Sequence, residues 1–319
     1  MTIPKPTDRD FAALLAPLLD HPVQRVDIAE HQERLYSNTW ILRAHTQKTA
    51  VDVVAKQWSD AGAFKRQIKA LEFARDAYAG RPDVCIPYLG VSEPHQLLLM
   101  QRVPDPNIER LCILPFPRLA DRGNALRWKA SLEQACIRVG QWLREWHTTT
   151  ADVGPVKPAL ESYLERRPEF VALLGKDDQR RLWTLVESLQ PEATCVVHGD
   201  FAPINILWSP SRLTVVDFGI AECERTTPWW DYVSMEIGLS SALRFSMRSP
   251  GMWFPSIARM ACSAFSQGYG TGTGSSRTRL ACLAVRYLTL YGSDIRNGRR
   301  YRKRAAWHRL QLEKVMAAV

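Results

Sequence analysis

The sequence predicts an α+β fold of two lobes: a small N-terminal lobe on an antiparallel sheet (residues 1–103) and a larger, mainly helical C-terminal lobe (residues 104–319). Three observations carry this. Segments of strand composition crowd the first hundred residues. Helical periodicity dominates beyond residue 124. A proline-rich break, Val103-Pro104-Asp105-Pro106, separates the two regimes. At 319 residues, with 46% hydrophobic and 24% charged content, the chain can bury a large core and has the composition of an ordinary soluble globular protein.

In order along the chain, Val26-Asp27-Ile28, Thr39 to Arg43 and Ala50 to Lys56 read as strands, with His45-Thr46-Gln47-Lys48 as the turn between the last two. A helix is expected from Ala63 to Ala79, with Phe64, Ile68, Leu71 and the stem of Arg75 on one face. Leu97 to Arg102 reads as a buried strand that the prolines stop. Apolar Leu132, Cys136, Val139, Leu143 and Trp146 recur at helical spacing, so a long buried helix spans Asn124 to Thr148 and ends in Trp146-His147. Further helices are expected near residues 158–174, 178–190, 230–244, 254–268, 277–291 and 300–316. The stretch from Gly268 to Ser276, rich in Gly, Thr and Ser, reads as a mobile loop.

His198-Gly199-Asp200-Phe201-Ala202-Pro203-Ile204-Asn205 is the most informative segment, because Asp217-Phe218-Gly219 follows it twelve residues beyond Asn205. Phosphoryl transfer needs a carboxylate near the acceptor hydroxyl and hard oxygen ligands for Mg²⁺; in the kinase catalytic loop the aspartate stands five residues before an asparagine, and a second aspartate lies beyond a hairpin. All three occur here in order. Between them, Asn205 to Trp208 and Leu213 to Val216 read as two short strands around the turn Ser209-Pro210-Ser211-Arg212, which would return Asp217 toward Asn205. Glycine at 199, where protein kinases carry arginine, gives the segment its closest character: it resembles the aminoglycoside phosphotransferase and choline kinase superfamily, and the resemblance covers roughly residues 26 to 240.

That resemblance implies a protein-kinase-like fold and ATP-dependent, Mg²⁺-requiring phosphorylation of a hydroxyl on a small molecule. It implies Asp200 as the catalytic base, Asn205 and Asp217 as metal ligands, and a packing role for His198 and Phe218. It implies Lys56, in Val53-Val54-Ala55-Lys56, as the lysine that neutralises the α- and β-phosphates. Aligning Ala70-Leu71 with the family's apolar pair places Gln67 where the lysine's glutamate partner usually stands; Glu72 is about 140° further round the helix. The phosphate loop from Glu33 to Asn38 has no glycine, and Ser37-Asn38 resembles a Ser-Asn pair used by several relatives, which makes Ser37 a candidate phosphate contact. Adenine is expected against the strand end Met100-Gln101-Arg102-Val103, so Met100 and Arg102 are candidate nucleotide contacts. Asp231 is expected to cap the following helix and brace the catalytic loop, His147 to be structural, and Trp229 and Trp230 fit either an acceptor wall or core packing.

Charge is uneven. Residues 241–319 hold fourteen Lys or Arg against Asp294 and Glu313, a balance of +12 that leaves −3 for the first 240 of a total of +9. The densest run, Arg299 to Arg304, suits either a solvated helix end or peripheral contact with an anionic lipid or anionic substrate. A polycationic drug needs a carboxylate-rich pocket, so the basic end favours a sugar, saccharide or other metabolite as acceptor. No nucleic-acid motif is present, seven singly spaced cysteines suggest neither disulfides nor zinc, and the absence of a leader-like or long apolar segment leads us to expect a cytoplasmic protein. A second reading is a kinase-like binding or regulatory protein with weak activity, given Gln67 and the glycine-free loop. Protein kinase activity is disfavoured by Gly199 and by the lack of an Ala-Pro-Glu element.

Overall fold

The computed structural model describes residues 5–19, 21–33, 37–79, 81, 83–112, 122–218, 225–245, 255–270 and 276–319. The chain divides into two compact units, Met1–Pro106 with Leu207–Cys223, and Asn107–Ile206 with Glu224–Val319. The first unit holds α1 (Asp8–Leu15), β1 (Val23–Glu33), β2 (Ser37–Thr46), β3 (Ala50–Trp58), α2 (Ala61–Ala77), β4 (Val84–Cys85), β5 (Tyr88–Ser92) and β6 (Leu97–Gln101). The second begins with α3 (Ile108–Cys112), α4 (Arg122–Thr149), β7 (Asp152–Gly154), α5 (Lys157–Glu165), α6 (Pro168–Val171), α7 (Lys176–Glu187), β8 (Glu192–Val196) and the 3-10 turn Pro203–Asn205. β9 (Ile206–Ser209) and β10 (Arg212–Val215) return to the first unit, and the second resumes with β11 (Arg225–Thr226), α8 (Trp229–Phe245), α9 (Pro255–Tyr269), α10 (Ser276–Arg296) and α11 (Arg302–Ala317).

The first unit is a five-stranded sheet of order β1-β2-β3-β6-β5, antiparallel throughout. Side chains alternate across a strand, so Val53 and Ala55 of β3 enter one core with Phe11, Leu15, Trp40 and Leu42, while Val54 and Lys56 point to the opposite face. A capping box closes the start of α1: the Thr7 hydroxyl accepts from the Asp10 N–H and the Asp10 carboxylate accepts from the Thr7 N–H. The buried face of α2 is Ala63, Phe64, Gln67, Ala70, Leu71 and Ala74. This corrects the face expected from sequence, since Ile68 is half-buried and Arg75 exposed. Beside the main sheet, β10 pairs in parallel with β4 (Leu213 with Val84) and β9 flanks it, so the hairpin before Asp217 is fastened to this unit.

In the second unit α4 runs longer than expected and buries Leu132, Cys136, Val139, Leu143 and Trp146. It crosses α9 closely at two glycines: a Cβ on Gly140 would strike the Phe265 carbonyl, and one on Gly268 the Ile137 carbonyl. The mobile loop expected from Gly268 is therefore misplaced at its start, because Gly268 and Tyr269 complete α9 and Tyr269 is buried; residues 271–275 lie outside the described residues. The single helix expected over 158–174 is two helices, because Pro168 has no N–H to continue the ladder and instead opens α6. Among the described residues no helix is long and apolar enough to cross a membrane.

Candidate active site

Two groups of the expected residues are assembled, one in each unit. In the first, β3 delivers Lys56, whose side chain is 8% exposed and whose Nζ donates to Asp217 Oδ1 at 2.7 Å. The ammonium also lies 5.1 Å from the centre of the Trp58 ring, a second contact that holds the side chain in place. Asp217 has φ 57°, in the left-handed region that aspartate tolerates better than most side chains, and the turn aims its carboxylate back at β3. Phe218 beyond it is fully buried, and Gly219 lies outside the described residues.

Lys56 and Asp217 line a cleft of about 280 Å³ together with Val54, Met100, Arg102, Val103, Leu207 and Val216. Apolar walls spaced around a strand end suit a flat heterocycle. Among the described residues the Val103 N–H makes no backbone hydrogen bond, whereas the neighbouring Arg102 N–H donates to the Asp52 carbonyl. So Lys56, Met100, Arg102 and Asp217 line one cleft, with the contact between Lys56 and Asp217 not anticipated from sequence. Ser37 and Gln67 do not. Ser37 opens β2 opposite Trp58 and is not part of the cleft wall, and Arg34, Leu35 and Tyr36 of the expected phosphate loop lie outside the described residues. Gln67 is fully buried inside the α2 face, and neither of its amide atoms has a hydrogen-bond partner among the described residues. Glu72 does not substitute for it, since its carboxylate accepts from the Tyr88 hydroxyl at 3.4 Å.

In the second unit the catalytic loop is built around Asp231, whose side chain is wholly buried at the start of α8. One oxygen accepts from the His198 N–H at 2.6 Å and the other from the Gly199 N–H at 2.9 Å. A carboxylate only accepts, so His147 Nε2, 3.3 Å away, donates to it, and His147 Nδ1 takes the Tyr269 hydroxyl at 2.8 Å. The long helix α4, the end of α9 and the start of α8 thereby converge on the backbone of one loop. Asp231 braces this loop as expected. It does not cap the helix: that role falls to Thr227, whose hydroxyl accepts from the Trp229 N–H. Gly199 has φ 85°, a conformation that glycine adopts freely, and its carbonyl accepts from the Trp230 indole N–H at 3.1 Å.

This framework presents Asp200 with its side chain 48% exposed. Asn205, buried in the 3-10 turn, donates from Nδ2 to the Asp200 carbonyl at 2.9 Å and to its Oδ2 at 3.1 Å. The amide oxygen of Asn205 is thus turned away from Asp200. His198 packs edge-on against Phe201 and accepts the Asp200 N–H at Nδ1, a structural role. One charged neighbour was not anticipated: Arg286 of α10 reaches to 3.5 Å from Asp200 Oδ1. Its only sequence signal is an arginine that interrupts the apolar run Leu280 to Val285. Trp229 and Trp230 divide: Trp230 is buried beside the loop and Trp229 is half-buried against Tyr232.

A model of the phosphotransferase enzyme family matches residues 34–269 of the chain. The chain belongs to the phosphotransferase enzyme family. Among curated proteins no sequence matches it. Solved structures share the fold at low identity, so the likeness speaks for architecture alone. A spectinomycin phosphotransferase crystallised with ADP and spectinomycin is 11% identical over 98% of each chain, with a TM-score of 0.54. A glucosamine kinase is 13% identical, covering 97% of this chain and 99% of that one, at 0.55. The choline kinase LicA of Streptococcus pneumoniae is 11% identical, covering 98% and 99%, at 0.57. The fold is therefore the protein-kinase-like one that the catalytic-loop spacing implies, and this member of the family is a phosphotransferase of the kinase type that acts on a hydroxyl group of a small molecule.

Proposed function

We propose that the protein transfers the γ-phosphoryl group of ATP to a hydroxyl of a sugar, saccharide or related metabolite, with Asp200 as the base. The observation that carries this is the setting of Asp200: its loop is bolted to buried Asp231, one oxygen is held by Asn205, and the carboxylate remains half-exposed, fixed but open to an acceptor. A carboxylate so placed orients the hydroxyl and takes its proton as the O–P bond forms. Lys56, which lines the cleft, offers its ammonium to phosphate oxygens. ATP as the donor is supported by the apolar cleft beside that lysine and by the ADP bound in the spectinomycin phosphotransferase.

The donor set suits Mg²⁺. Asn205 has its amide nitrogen committed to Asp200 and its oxygen unengaged, and Asp217 has one oxygen on Lys56 and the other without a partner among the described residues. Both are the hard oxygens that Mg²⁺ takes while keeping waters and phosphate ligands. When bound, the ion's contribution is to offset charge on the β- and γ-phosphates.

A test is ADP release measured over a panel of sugars, amino sugars and amino alcohols. Acceptor-dependent release that requires Mg²⁺ and is lost in Asp200→Asn, while nucleotide binding survives, supports the proposal. Undiminished turnover in Asp200→Asn would remove it.

A further inference from the structure

Arg286 lies mid-way along α10 in an otherwise apolar stretch, and its side chain is only 10% exposed. An arginine cannot shed its charge at accessible pH, so a guanidinium held there is a permanent feature of the base's surroundings. It is not needed to orient Asp200, whose carboxylate and carbonyl are both held by Asn205 and whose loop is held by Asp231. Its reach to Asp200 Oδ1 is long, 3.5 Å, which is a loose ion pair rather than a tight fork.

What surrounds the guanidinium matters as much. It lies 5.3 Å from the centre of the Trp230 ring, and Trp230 meets Tyr163 edge to face at 4.7 Å. The Arg167 guanidinium covers the Tyr163 ring at 3.8 Å. Aromatic faces are a common means of holding an ammonium group, yet the Trp230 and Tyr163 rings already carry arginines. An acceptor with an ammonium beside its reacting hydroxyl would meet a fixed like charge. An acceptor with an anionic group there would meet a fixed opposite charge.

We infer that Arg286 is a specificity-determining residue that selects acceptors carrying a carboxylate or phosphate near the hydroxyl to be phosphorylated. The inference rests on Asp200 being the base, and it assigns to one side chain a preference that net charge alone only suggests.

The test uses four acceptors on one hydroxylated ring: glucose 6-phosphate, glucuronate, glucose and glucosamine. Wild type, Arg286→Gln and Arg286→Lys are compared by ADP release with MgATP, and by calorimetric binding with MgADP, which reads affinity whether or not transfer occurs. The expected order is anionic over neutral over cationic. In Arg286→Gln the ratio of anionic to neutral kcat/KM or affinity falls by about 10- to 100-fold, mainly through KM, as loss of a charge-assisted pair implies. Arg286→Lys keeps part of the ratio, which separates loss of charge from loss of folding. Whichever anionic compound is preferred distinguishes carboxylate from phosphate. Binding of glucosamine or glucose as tight as that of both anions, or no binding of either anion at millimolar concentration, overturns the inference. So does an equal fall in kcat for all four, which would mean that Arg286 serves the base or the transferred phosphoryl group. A charge preference in binding with no transfer to any acceptor would support Arg286 as the selector and count instead against Asp200 as the base.

Discussion

Asp231 shows how a residue outside the reaction can govern it, because its buried carboxylate satisfies two backbone N–H groups of the catalytic loop and a histidine at once. Asp231→Asn turns an NH₂ toward at least one of those donors; about 2–4 kcal/mol of stability should be lost, with a larger fall in kcat than in ATP affinity. Thermal unfolding and nucleotide titration check this, and an unchanged kcat would show that the loop holds itself. Gln67 poses the opposite case. A fully buried amide with neither atom partnered among the described residues is costly, so Gln67→Leu should raise Tm or leave it unchanged, with KM for ATP unaltered. A rise of about tenfold in that KM would restore to Gln67 the phosphate-positioning role that the resemblance implies. Asp200, Asn205 and Asp217 were legible in the sequence by their spacing, and Lys56 by the apolar strand before it. Arg286 was not, since it meets Asp200 across 86 positions of chain and belongs to no local pattern.

Elements were legible in proportion to their apolar periodicity. The long helix α4 and the strands β2, β3 and β6 carry strong patterns and stand close to where the sequence puts them. The short helix α1 rests on a capping box in eight residues, and β5 contains Gly90, so neither signals itself by periodicity. The α4–α9 crossing depends on two glycines that no periodicity marks. Gly268→Ala should destabilise by about 1–3 kcal/mol because its Cβ would press on backbone, which can move little; chemical denaturation that finds no loss would mean the helices can part. A second junction joins α10 to α11, where buried Asp294 takes Arg304 and His308. Burial alone would raise the Asp294 pKa, but hydrogen bonds from His308 and Arg304 outweigh it and hold the group below the ordinary 3.8. A depressed folded-state pKa means this stabilisation is present above about pH 4 and is lost as the pH falls through the lower value. Wild type should therefore lose stability as the pH falls below about 4 more steeply than Asp294→Asn, and parallel Tm curves for the two would contradict the junction.

For the whole molecule, the uneven charge is the largest long-range feature, and the structure narrows what it can do. Arg304 is clasped by Asp294, whereas Arg299, Arg300, Arg302 and Lys303 are exposed. If the exposed four attract an anionic surface, changing them to glutamine should weaken sedimentation with phosphatidylserine vesicles at low salt and leave MgATP binding intact. Equal binding by both proteins at low and high salt would reduce the run to a solvated helix end. Burial pushes the Cys112 thiol up to about 12 and the Cys262 thiol to about 11, so neither should interfere with such assays by reacting at neutral pH. The central claim, that a fixed and half-exposed Asp200 drives phosphoryl transfer from ATP to a hydroxyl, is tested most directly by following γ-labelled phosphate into acceptor for wild type and Asp200→Asn under saturating MgATP. The account predicts acceptor-bound label in wild type, a fall of about 10²- to 10⁴-fold in Asp200→Asn, and unchanged nucleotide affinity; label transferred at the same rate by both proteins would contradict it.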